Sequence, residues 1–187
     1  MRHHSKQIVT EPTSEPIDLI SVKDWLRITH NDQNALLNSL IKVARVYYEE
    51  VLDRAMITQT WKAHFTGWPD DYFELPMSPV ASVTHIKYKN TGGTQSTLAS
   101  SIYITDLVKS PARISLGYNQ TWPTTELYPV APIEIQYVAG AETIPEDMKI
   151  MLYIAIERML DRPHISYDAT LKNIMSDFAM NNRNHRF

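Results

Sequence analysis

The sequence predicts an α+β protein: a helical core of two N-terminal helices plus C-terminal helices, with an antiparallel β-sheet domain inserted into it. Three observations carry the prediction. Apolar residues recur at helical period from Asp32 to Asp53, the period switches to two from Ile57, and helical spacing returns at Pro145. The expected divisions are a flexible arm over 1–16, a helical core over 17–54 and 141–178, a β insertion over 55–140 and a tail over 179–187.

The arm contains Thr10-Glu11-Pro12-Thr13-Ser14-Glu15-Pro16, polar and broken by two prolines that disfavour helix for the residue before each. A short helix is expected next, capped by Ser21 with Asp24 three residues on and with Leu19, Val22, Trp25, Leu26 and Ile28 on its apolar side. Asn31-Asp32 closes it and caps a second helix. There Leu36, Leu37, Leu40, Ile41, Ala44, Tyr47, Tyr48 and Val51 form one broad apolar stripe, and Asn34, Asn38, Lys42, Arg45 and Glu49 are assigned to the solvent face. The Tyr47-Tyr48 pair fits packing within that stripe, and also fits the lining of a groove.

From Ile57 to Phe65 alternation indicates a half-buried strand, and Gly67-Trp68-Pro69-Asp70-Asp71 a turn. Further strands are expected at Tyr72 to Leu75, Val83 to Lys89, Gln95 to Leu98, Ile102 to Thr105, Ala112 to Leu116 and Ile133 to Val138. The loop from Gly117 to Pro123 carries Trp122, which fits two readings: a contact loop on the β scaffold, or a ring tucked over one end of the sheet. Pro145 then opens a helix with Glu146 and Asp147 in its first turn. One apolar stripe of this helix is Met148, Met151, Leu152, Ala155, Ile156 and Met159; a second, Ile150, Tyr153 and Ile154, is either buried or shared with a neighbouring subunit. After Asp168 a shorter helix is expected, with Leu171, Ile174, Met175 and Phe178 on one side, before a polar, mildly basic tail.

Composition excludes several chemistries. The chain has 187 residues, no cysteine and a formal charge of -3, so disulfides and thiolate metal sites are out, and the surface is not built to neutralise nucleic-acid phosphates. Five glycines, at 67, 92, 93, 117 and 140, leave no phosphate-binding loop. No nucleophile elbow and no paired-histidine motif occurs, and His3-His4 lacks a third ligand at useful spacing, so no catalytic, cofactor or metal residue is assigned. Apolar runs such as Met151 to Ile156 fall far short of the roughly 20 residues of a membrane span, and Met1 to Lys6 is not followed by the apolar core of a signal peptide. The chain is therefore expected to stay where it is made.

The order of motifs is specific. Ile20-Ser21-Val22-Lys23-Asp24-Trp25-Leu26-Arg27-Ile28, Asn31 to Leu37, Tyr47-Tyr48-Glu49-Glu50 and Arg54-Ala55-Met56-Ile57-Thr58-Gln59-Thr60-Trp61 come first. Leu75-Pro76-Met77-Ser78-Pro79-Val80, Val83 to Tyr88, Tyr137-Val138-Ala139-Gly140 and Ile144 to Lys149 follow. Together, over about Ile17 to Asp161, they resemble the head-tail connector (adaptor, head completion) proteins of tailed bacteriophages, in the form with a β insertion.

The resemblance implies a structural virion protein without enzyme activity or cofactor, located at the neck and made in the host cytoplasm. It implies a homo-oligomeric ring of twelve subunits between the portal protein and the tail, stopper or tail terminator. Genomic DNA would pass through its lumen without sequence-specific binding, and no membrane is involved. Subunit contacts are expected at Tyr47, Tyr48, Ile150, Tyr153 and Ile154, and portal docking at Leu171, Ile174, Phe178, Arg183, Arg186 and Phe187. The rival readings are a carbohydrate-binding or hydrolytic virion accessory using Trp68, Asp70, Asp71, Tyr72 and Trp122, and a tail-terminator-like component.

Overall fold

A computed structural model describes residues 5–161. The class is α+β as predicted, and the described chain divides into two compact units: 5–12 with 57–142, and 13–56 with 143–161.

The first is a β unit of two antiparallel sheets. The larger runs in the order β1 (Ser5–Thr10), β2 (Gln59–Phe65), β8 (Ile133–Ala139), β4 (Val80–Lys89), β5 (Gln95–Thr97); the smaller is β3 (Tyr72–Leu75), β7 (Ala112–Leu116), β6 (Tyr103–Asp106). Central strand β8 shows why these residues make a sheet. Ile133, Ile135, Tyr137 and Ala139 are fully buried, while Glu134, Gln136 and Val138 alternate with them on the other side. Phe65 of the larger sheet meets Phe73 of the smaller at 4.6 Å between ring centroids, and Leu75, Ala112 and Ile114 complete a dry interior. The Tyr137 hydroxyl reaches that interior and donates to the Pro76 carbonyl at 2.9 Å, so its polar end is satisfied.

The end of β8 demands glycine. Gly140 has φ +101°, its N–H donates to the Pro79 carbonyl at 2.8 Å, and a Cβ there would run into the backbone carbonyl of Ile57. Ile57 bridges to Ala141, which ties the first residue of the unit's main segment to its last turn.

One expectation is corrected here. Within the arm expected to be flexible, Ser5 to Thr10 form β1, laid antiparallel on β2 from Ser5 opposite His64 to Thr10 opposite Thr60. An edge strand is held by its backbone ladder and needs little apolar pattern, so a polar stretch ending in Ile8-Val9-Thr10 suffices.

The second unit is helical: α1 (Leu19–Leu26), α2 (Asn34–Leu52) and α3 (Glu146–Asp161). The first cap differs from the expected one. Asp18, not Ser21, is the N-cap, accepting from the Ser21 N–H at 2.8 Å and the Ser21 hydroxyl at 2.9 Å. That backbone hydrogen bond holds the Asp18 carboxyl below its ordinary range. Likewise α2 starts at Asn34 after Gln33 rather than on an Asp32 cap, and ends on Asp53 in the left-handed region at φ 51°.

Leu37, Ile41, Ala44 and Tyr48 of α2 and Met151, Leu152, Ala155 and Ile156 of α3 are the buried apolar residues of these helices. Tyr48, late in α2, donates from its hydroxyl to the carbonyl of Met151, early in α3, at 3.3 Å. Trp25 of α1, which precedes α2, meets residues further along α3: Tyr153 in a stack at 5.3 Å and Glu157 through a 3.2 Å hydrogen bond from the indole. The end of α2 thus meets the early part of α3, and α1 packs on α3 beyond that point.

Candidate assembly surfaces

Among the described residues no group of three His, Asp or Glu is placed to hold a metal, and no helix is long and apolar enough to cross a membrane. What the molecule presents instead is apolar helix surface. On α2, Leu36, Val43, Val46 and Val51 are 48%, 43%, 39% and 39% exposed. Leu36 and Val43, with half-buried Leu40 and Tyr47, follow the 4-3-4 rhythm of one helix face, and Val46 lies beside them. On α3, Ile150 is exposed and Tyr153 and Ile154 are half-buried, while on α1 Ile20 is exposed.

The residues singled out from sequence fall in different settings. Tyr47 meets Tyr48 edge-on at 6.4 Å between centroids. Tyr48 itself is only 3% exposed, and burial pushes its phenol far up. It is therefore packing within its own unit and does not belong with an outward contact surface. Tyr153 is partly covered by the Trp25 ring, which leaves Ile150 and the open side of Ile154 as the outward part of α3. Leu171, Ile174, Phe178, Arg183, Arg186 and Phe187 lie outside the described residues.

Trp122 takes the second of its two readings. Its ring lies on Trp68 at 4.9 Å and 8° between planes, meets Phe73 at 5.6 Å, and donates from the indole to the Pro69 carbonyl at 3.1 Å. The two indoles face each other, so neither offers that face as a platform for a sugar. Asp70 and Asp71 are exposed and hold no metal-ready partners among the described residues. The carbohydrate reading thus loses the aromatic surface on which it depended.

Sequence reasoning missed a charged cluster inside the helical unit. Arg45 and Glu49, assigned to the solvent face of α2, are 2% and 4% exposed. The Arg45 guanidinium donates through Nε to Glu15 at 2.7 Å and through Nη1 to Glu49 at 2.9 Å, and the other Glu49 oxygen accepts from the Met56 N–H at 2.9 Å. Burial alone would lower the Arg45 pKa, but the hydrogen bond to Glu15 and the charges of Glu49 and Glu15 outweigh it and raise it. The cluster fastens the segment before α1, the middle of α2 and the backbone after α2 to one point. An Arg and a Glu four residues apart look the same in sequence whether water or protein surrounds them.

The helical unit thus turns apolar residues outward, and the β unit that interrupts it in sequence closes its own apolar interior. The chain belongs to the phage gp6-like head-tail connector family, whose family model matches residues 16–120. The resemblance carried by the sequence motifs is thereby borne out, and the role it implies is structural. No curated protein matches the chain. Among solved structures, a chain from the virion of a native gene transfer agent particle is similar over 88% of both chains, at 19% identity and a TM-score of 0.72. A chain from the neck of the empty particle, computed with C6 symmetry, matches at 20% identity and 0.72, again over 88% of each. One from the neck of the native particle, computed with C12 symmetry, matches at 20% and 0.70, over 88% of this chain and 87% of the other. At that identity the likeness is one of fold.

Proposed function

We propose that the chain assembles as a ring of twelve copies between the portal and the tail or stopper of a virion, leaving a lumen through which DNA passes. The observation that carries this reading is the outward apolar helix surface of a family member, Ile150 with Ile154 on α3 above all. A ring of identical subunits is closed by heterologous contacts, in which two different faces of one chain meet, and a helix apolar on two sides supplies one of them. The C12 symmetry of the similar neck chain supports the number. The net charge of -3 suits a lumen that must not hold phosphate tightly. Leu171, Ile174, Phe178, Arg183, Arg186 and Phe187 are the residues we assign to portal contact.

The test is co-expression with the portal protein of the same particle, followed by electron microscopy of the complex. Twelve copies of the wild-type chain should sit on each portal. Ile150→Asp, at a position 46% exposed and so compatible with a folded subunit, should abolish the ring. A different copy number, or a normal ring from a folded Ile150→Asp variant, would overturn the reading.

A further inference from the structure

Two outward rows of side chains on the helical unit fit each other. On α2, Leu36, Ser39, Val43 and Val46 recur at steps of 3, 4 and 3, a row of about 15 Å in which every residue is exposed. Ser39 does not break its apolar character, because its hydroxyl donates to the Ala35 carbonyl of its own helix at 3.0 Å. On α3, Asp147, Ile150, Ile154, Glu157 and Asp161 recur at steps of 3, 4, 3 and 4, a row of about 21 Å. Rows with these steps let one helix seat along another, the side chains of each filling gaps in the other.

Charge decides how the rows pair. The α3 row has an apolar centre, Ile150 and Ile154, with a carboxylate before it and two after it, against the single positive charge of Arg158 alongside. Two α3 rows face to face would bring these carboxylates together, which is unfavourable. The α2 row carries no charge of its own, and the exposed residue flanking it next to Val43 is Lys42, whose sign is opposite. An α3 row on an α2 row therefore sets apolar side chains on apolar side chains and avoids the clash of like charges. Elsewhere among the described residues the exposed apolar side chains are not aligned in this way. Ile20 of α1 stands among Lys23, Asp24 and Arg27, and those of the β unit are dispersed.

We propose that each contact in the ring seats Ile150 and Ile154 of one subunit on the row Leu36, Ser39, Val43 and Val46 of the next. The inference rests on the ring reading and deepens it. A heterologous contact needs two different faces, and α2 supplies the one that receives α3. Each subunit then gives its α3 row to one neighbour and its α2 row to the other, so no copy within a closed ring leaves either row open to water.

The absence of cysteine makes the test direct. A tagged chain carrying Val43→Cys and an untagged chain carrying Ile150→Cys are co-expressed with the portal protein of the same particle, and the assembled rings are treated with a flexible bismaleimide. Electrophoresis and mass spectrometry then separate the products by size. Mixed dimers of one tagged and one untagged chain should exceed either same-size dimer by about tenfold or more. Dimers of two Val43→Cys chains as the main product would mean that α2 meets α2, and would overturn the proposal. Rings that give no mixed dimer would overturn it too, while leaving the ring reading intact; a wild-type chain that forms no ring on the portal would remove both. Val43→Asp, at a position 43% exposed, should abolish the ring with circular dichroism showing a folded chain, and a normal ring from that variant would count equally against the assignment.

Discussion

No charged side chain of the described β unit is buried, whereas the helical unit buries Arg45 and Glu49 and turns Leu36, Val43, Val46 and Val51 outward. The exposed apolar residues of the β unit are spread over strands and loops, Val9 in β1, Ile104 in β6, and Val108, Tyr118 and Val130 in the loops 107–111 and 117–132, as is ordinary for a surface. Those of α2 are aligned. The β unit is thus complete in itself, with Phe65, Phe73, Ile114, Ile135 and Tyr137 closing its interior. The helical unit uses charge to fix where its chain enters and leaves, and turns apolar side chains outward. One unit closes its own apolar interior, and the other leaves aligned apolar side chains at its surface.

The largest expected effect tests the buried charge. Replacing Arg45 by Met breaks its buried pair with Glu49, which is 4% exposed, and losing one partner of a buried pair costs about 3–5 kcal/mol. Chemical denaturation should show that loss. The double variant Arg45→Met, Glu49→Gln should recover part of it, because glutamine carries no buried charge and still accepts from the Met56 N–H. If the single variant loses less than about 1 kcal/mol, the cluster is idle and the contrast between the units fails at its strongest point.

A middle effect is expected from Trp122→Ala in the β unit. The ring is half-buried, so removing its stack on Trp68 and its bond to the Pro69 carbonyl should cost about 2 kcal/mol, below the range for a fully buried tryptophan. Thermal unfolding checks the loss. Ring assembly on the portal should be unchanged below the melting temperature, since the side chain is already engaged within its own unit. Assembly lost by a folded Trp122→Ala variant would move a contact surface onto the β unit.

These positions also show what could be read from sequence. The change of period at Ile57 and the return to helix at Pro145 were legible because each follows from which atoms one element must bury. The alternation of Ile133, Ile135 and Tyr137 marked β8 for the same reason. The orientation of α2 was not legible. Apolar residues such as Leu36, Leu40, Val43 and Val46 accompany Leu37, Ile41, Ala44 and Tyr48 around more than half of its circumference, so the pattern gives a helix without saying which side meets α3. Periodicity alone puts Leu36 and Val51 in the core and Arg45 and Glu49 in water, and the structure reverses both. Strand β1 was hidden for another reason, since backbone pairing at an edge leaves almost no trace in side chains. The candidate surface on α3 was half legible: its second stripe was visible, but the Trp25 ring over Tyr153 depends on a contact 128 positions away in the chain.

The smallest effect concerns charge on the outside of the β unit. Glu134 accepts from Lys62 at 3.1 Å, lies 3.5 Å from His85, and has a side chain 17% exposed. Burial pushes its carboxyl up, but the hydrogen bond and charge of Lys62, with His85 adding to them, outweigh this and hold it below the ordinary value of 4.5. A carboxyl lowered in the folded state releases its proton more readily there than in the unfolded chain. The stabilisation it brings is therefore complete above the unfolded value and fades as the pH falls through the folded one. Glu134→Gln should cost roughly 0.5–1 kcal/mol at pH 7 and flatten the dependence of stability on pH between about 5 and 3. A loss at pH 7 as large as that of Arg45→Met would mean that charge on the sheet matters as much as charge in the helical interior, and the two units would no longer differ in how they use it.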